Sequence, residues 1–60
     1  MQVVAKEFVG SEIVSVCKDF FYGDYVFKIG ESVVSRGSLQ DMLDEAIRHK
    51  HQYKDWIRNK

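Results

Sequence analysis

The segment IRHKHQYKDWIRNK, Ile47 to Lys60, gathers two histidines, several cations, a tyrosine and a tryptophan. Metal binding is the first chemistry such a cluster suggests. His49 and His51 are two residues apart, so on a helix their side chains point roughly 200° from each other. They cannot chelate one ion, and a helical histidine pair for zinc needs i, i+4 spacing. His51 does have Asp55 one turn on, but two ligands fall short of zinc's four. A solvated His–Asp pair is the expectation, with no metal and no cofactor.

Nucleophilic chemistry is no better supported. Cys17 is the only cysteine and lies in a strand-like stretch far from either histidine. A small buried hydrophobe is its expected role. No Gly-rich phosphate loop and no G-x-S-x-G occurs, and the adjacent acids Asp44 and Glu45 fall on an exposed helix face. A chain this short also has little room for a water-excluding pocket. It is not expected to be an enzyme.

The third possibility is a grip on nucleic acid. Arg48, Lys50, Lys54, Arg58 and Lys60 outnumber Asp55, and Tyr53 and Trp56 lie between them, as on surfaces that combine phosphate contacts with base stacking. On a helical wheel the cations form no single stripe. Lys50 and Lys54 align with Leu43 and Ile57 on the core side, and Arg48 falls opposite. Met42, His49, Tyr53 and Trp56 share a neighbouring flank. Either the lysines snorkel past the sheet rim, or this helix end projects and presents Tyr53 and Trp56 to a partner.

Composition narrows the field further. Sixty residues make one domain with a small core, which raises the prospect of oligomerisation or a partner chain. Nine Lys+Arg balance nine Asp+Glu, so the whole-chain charge draws it neither to nucleic acid nor to anionic membrane. No apolar run approaches the roughly 20 residues of a membrane span, and the first residues do not read as a signal peptide. One thiol suits a reducing, cytoplasmic setting.

The elements that position these groups are punctuated by glycine. Gly10-Ser11, Gly23-Asp24 and Gly30-Glu31 each read as a two-residue hairpin turn with glycine first, the type II′ pattern. They divide the N-terminal part into a four-stranded antiparallel meander, about 2–9, 12–22, 25–29 and 32–35. Ser38 to Asp41 forms a capping box that opens a helix over about 39–58. Its apolar stripe is Leu39, Leu43, Ala46 and Ile47. One helix packed on one sheet face makes an α+β domain.

With tight turns, Tyr22 faces Tyr25, Phe20 faces Phe27, and Phe27 faces Val34. Val3, Ala5, Val9, Val14, Val16, Phe20, Tyr22, Tyr25, Phe27, Ile29 and Val34 then form the core face. The second face keeps Val4, Phe8, Ile13, Phe21, Val26 and Val33 beside Cys17, Asp19 and Lys28, with Asp19 and Lys28 as a cross-strand ion pair. That is more apolar than a solvated face needs to be.

Sheet-then-helix order is similar to small antitoxin-like partner domains and to the arm domains of phage-type integrases, a likeness of architecture without a shared motif. The expectation is a non-enzymatic protein-binding module, a phage-style regulator or inhibitor that self-associates. Its contacts are Val4, Phe8, Ile13, Phe21, Val26 and Val33, with Tyr53 and Trp56 as anchors. The edge strands 2–9 and 32–35 offer a second route to a partner strand. The alternative is nucleic-acid binding through Arg48, Lys50, Lys54, Arg58 and Lys60.

Overall fold

The computed structural model describes residues 1–58, with side chains as far as Lys54. Four strands, β1 (Gln2–Val9), β2 (Glu12–Asp19), β3 (Asp24–Ile29) and β4 (Ser32–Gly37), precede one helix, α1 (Leu39–Arg58). The strands form an antiparallel sheet in the order β1-β2-β3-β4, and α1 packs on one face of it.

Two of the three turns follow the glycine pattern. Val9 pairs with Glu12 across Gly10-Ser11, and Ile29 pairs with Ser32 across Gly30-Glu31. Gly10 and Gly30 have φ of 64° and 62°, and among the described residues no non-glycine residue has positive φ. That sign pattern is what a type II′ turn requires of its first central residue.

The third turn is longer than expected. Asp19 pairs with Asp24, so Phe20 to Gly23 form a four-residue loop, and Phe27 lies opposite Val16 rather than Phe20. The slide is four residues, an even number, so β2 keeps its core and open faces. Phe20 and Tyr22, expected in the core, are instead exposed.

Two bulges alter the edge strands. Val4 is the extra residue in β1, which turns Val3 to the open face opposite Cys17. Val34 is the extra residue in β4, so Ser35 rather than Val34 opposes Phe27. Val3 and Val34, both expected on the core face, are accordingly exposed. Beyond its bulge, β4 continues to Gly37 and sets Arg36 opposite Val26 on the open face.

The helix opens as its capping box requires. The Asp41 backbone N–H donates to Ser38 Oγ at 3.1 Å, and the Met42 N–H donates to the Ser38 carbonyl at 3.0 Å. Val9, Val14, Val16, Phe27 and Met42 are the buried core, with Ala5, Tyr25, Ile29, Leu39, Leu43, Ala46 and Tyr53 packed around it. The helix lies mainly over β3 and β2 and starts against β4. Its buried stripe therefore includes Met42, whereas Ile47, expected in the stripe, is on the uncovered flank.

The second half of α1 is tied down rather than projecting. Lys50 Nζ reaches Glu7 of β1, and His49 Nε2 lies 3.2 Å from Glu12 Oε1. The Tyr53 ring packs over Gly10, where an added Cβ would run into it. The lysine at position 50 thus passes the core to reach the rim of the sheet, carrying its charge to a carboxylate.

Gly30→Ala, with open space at its site, is expected to cost about 1–2 kcal/mol for its left-handed backbone alone. Gly10→Ala is expected to cost about 1–3 kcal/mol more, because the Tyr53 ring must move. Urea denaturation checks both, and the excess at Gly10 is expected to vanish in a Tyr53→Ala background.

Candidate functional site

The loop between β2 and β3 begins at an aspartate and closes on a glycine, and both residues are needed. The Gly23 N–H donates to the Asp19 carbonyl at 2.8 Å, closing the loop, and Gly23 has a φ of 76°. Asp19 Oδ1 accepts from the Phe21 N–H at 2.9 Å and the Tyr22 N–H at 3.4 Å. An aspartate that binds backbone N–H groups just ahead of it in the chain is a recurrent way of setting a turn. Three aromatic residues are thereby held outward. Phe20 is 66% exposed, Phe21 86% and Tyr22 69%, and the Phe21 and Tyr22 rings meet edge to face at 4.8 Å.

Charge reinforces this arrangement. Asp19 and Asp24 are directly opposed on neighbouring strands, a like-charge pairing that destabilises a sheet unless a cation intervenes. Arg36 supplies it: Nη1 lies 3.5 Å from Asp19 Oδ2 and 3.4 Å from Asp24 Oδ2. The same guanidinium sits 5.1 Å from the centroid of the Tyr22 ring. On the other side, Lys18 Nζ donates to the Gly23 carbonyl at 3.3 Å and covers the Tyr25 ring. The β4 bulge is what makes the Arg36 contacts available. Without Val34 as an extra residue, the alternation of β4 would carry Arg36 to the helix side.

The rest of the open face has a buried centre and exposed margins. One cross-strand row runs Val3, Cys17, Val26, Arg36, and the next runs Lys6, Ser15, Lys28, Val33. Val26 has no exposed surface and Cys17 and Ser15 are buried, although α1 lies on the opposite face. Phe8 and Ile13 are paired at the turn end and exposed, as are Val3, Val4 and Val33.

The expected partner residues are therefore divided. Phe8, Ile13 and Val33 present surface on the open face, Phe21 is exposed in the loop beyond β2, and Val4 is exposed at the bulge. Val26, expected among the contacts, is fully buried. Tyr53 packs against its own core. Trp56 lies outside the described side chains. Asp19 takes Arg36 as its partner in place of Lys28, which lies opposite Ser15.

The cations expected to meet nucleic acid do not gather on one face within the described residues. Arg48 lies 3.6 Å from Glu45, Lys50 pairs with Glu7, and Lys54 is exposed. Arg58 and Lys60 lie outside the described side chains. Among the described residues, no group of three or more His, Cys, Asp or Glu could hold a metal ion, and no helix is long and apolar enough to cross a membrane.

Sequence reasoning missed Phe20, Tyr22 and Arg36. A signal for the first two was present: Asp19 stands just before Phe-Phe-Tyr-Gly, and adjacent phenylalanines cannot both point into one sheet face. Nothing local marked Arg36, whose position depends on a bulge. Comparison with protein-family models, with curated proteins and with solved structures found no match.

Asp19→Ala is expected to lower stability by about 1–3 kcal/mol, since it strips the loop of its acceptor and leaves Asp24 and Arg36 rearranged. Asp19→Asn, which keeps an oxygen for the two N–H groups, is expected to lose less. Chemical denaturation measures the difference, and loss of the edge-to-face Phe21–Tyr22 contact is expected in ring-current shifts of Asp19→Ala only.

Proposed function

We propose that this chain is a small protein-binding module, a regulator or inhibitor that works by covering a partner's surface and that meets its own copy through the same surface. The observation that carries the reading is the outward-facing aromatic loop Phe20-Phe21-Tyr22, which meets the open sheet face where the Tyr22 ring lies against Arg36. Consecutive aromatics held outward by Asp19 and Arg36 have lost little further freedom to lose on binding, which is how binding anchors gain affinity.

Size supports self-association. The chain exposes 4380 Å² in all, and a standard interface takes about 800 Å² from each partner, roughly a fifth of that surface. Val3 adds apolar surface at the loop end of the sheet, Phe8, Ile13 and Val33 form a second apolar group toward the Gly10 and Gly30 turns, and Arg36 and Lys28 add polar groups to the face between them. Nucleic-acid binding is the weaker reading, because Arg48 and Lys50 are already engaged by Glu45 and Glu7.

Light scattering across protein concentration tests the proposal. The expected result is a mass that rises from monomer to dimer, and that stays monomeric for Phe21→Asp with an unchanged far-ultraviolet circular dichroism spectrum. A wild-type chain that remains monomeric at every concentration would overturn self-association. Unfolding of Phe21→Asp would show instead that the ring supports its own fold.

A further inference from the structure

The first strand leaves room for a fifth. β1 is an edge of the sheet, and after the Val4 bulge it runs regularly from Ala5 to Val9, opposite Val16 to Glu12. Because α1 lies over β3 and β2, a cavity of about 90 Å³ remains beside β1, bordered by the β1 segment Ala5-Lys6-Glu7, the β2 segment Val14-Ser15-Val16 and Ala46 of the helix. Ile47, 55% exposed, projects from the helix flank next to Lys50, whose ammonium reaches β1. The opposite edge is less receptive: β4 is interrupted at Val34, and the start of α1 packs against it.

We infer that β1 accepts an extended peptide segment of another protein as an antiparallel fifth strand, with an aliphatic side chain of the peptide filling the cavity beside Ala5. This surface is separate from the aromatic loop, and the inference does not depend on that loop binding anything. Edge strands offer unpaired backbone groups for such addition, and flanking pockets read the alternate side chains. A peptide residue opposite Ala5 points to the helix side, where Ala5 and Ala46 are small enough to leave the space. The cavity is small, about 90 Å³, and its apolar border of Ala5, Val14, Val16 and Ala46 suits a single branched aliphatic group.

Charge fixes the neighbouring position. Lys6 projects from the other face of β1 and makes no ion pair among the described residues. In antiparallel order, the peptide residue opposite Lys6 immediately precedes the one opposite Ala5. The segment that fits carries aspartate or glutamate followed directly by valine, isoleucine or leucine. A second copy of β1 is a poor occupant. A two-fold antiparallel pairing centred on Lys6 opposes two lysines, and one centred on Glu7 opposes two glutamates. Centring on Ala5 brings the Val4 bulge into the ladder, and centring on Phe8 leaves only the last few residues opposed.

The test is selection of displayed random short peptides on the full-length chain, followed by titration of the selected peptides into isotopically labelled protein. The expected peptides share the acidic–aliphatic pair and shift the amide signals of Ala5 to Val9, Ala46 and Ile47. Lys6→Glu is expected to weaken them about fivefold, with recovery when the peptide acid becomes lysine. Ala5→Phe, which fills the cavity, is expected to weaken them as well, and Phe21→Asp is expected to leave them unchanged. If Ala5→Phe does not fold, the charge exchange at the exposed Lys6 decides alone. Failure to select any peptide, binding indifferent to Lys6, or binding lost with Phe21→Asp would each overturn the inference. So would protection of β1 amides by dimer formation without peptide.

Discussion

One helix has one apolar side, and a four-stranded sheet has two faces and two edges. Everything unusual about this domain follows from that shortage of cover. α1 is placed over β3 and β2, where it buries Val16 and Phe27. The opposite face, β1 and the loop beyond β2 must find other ways to be stable in water. The open face is not wholly exposed: Val26 and Cys17 at its centre are buried. The margins, with Phe8, Ile13, Val3 and Val33, are left uncovered.

Electrostatics then decide what that uncovered surface looks like. Asp19 and Asp24 oppose each other at the end of β2 and β3, and Arg36 between them turns a repulsion into a clamp. The Asp19 carboxylate serves both Arg36 and the loop backbone, so the aromatic tip inherits its rigidity from an ion pair on the sheet. At the other end, the Lys50–Glu7 and His49–Glu12 contacts and Tyr53 over Gly10 keep the helix on its own sheet. That removes the picture of a free aromatic helix end for the described part of α1.

Much of the architecture was legible along the chain. The helix bounds, the capping box at Ser38, and the turns at Gly10 and Gly30 each depend on residues adjacent in sequence. Where reading failed, it failed by register. Gly23 reads locally as the first residue of a tight turn, whereas it is the last residue of a longer one, in which Asp19 accepts from the loop backbone. The face assignment of β2 survived because the slide was even. Val3 and Val34 changed places because each bulge shifts one strand by an odd step. Of the partner residues expected on the open face, Phe8, Ile13 and Val33 are exposed there, Phe21 is exposed in the loop, Val4 is exposed at the bulge, and Val26 is buried.

By itself the sequence determined the order of elements and their kind: alternating β-branched and aromatic runs, glycines where φ is positive, and a capped amphipathic helix. These are properties of neighbours in the chain, set by sterics and local hydrogen bonds. Tertiary structure decided which side chains meet. Arg36 reaches Asp19 and Asp24 only because a bulge reverses the last part of β4. Phe20 and Tyr22 leave the core only because Asp19 holds their loop. β1 stays open only because α1 settles on β3. Each of these is a competition between distant groups for one position, which no local pattern encodes.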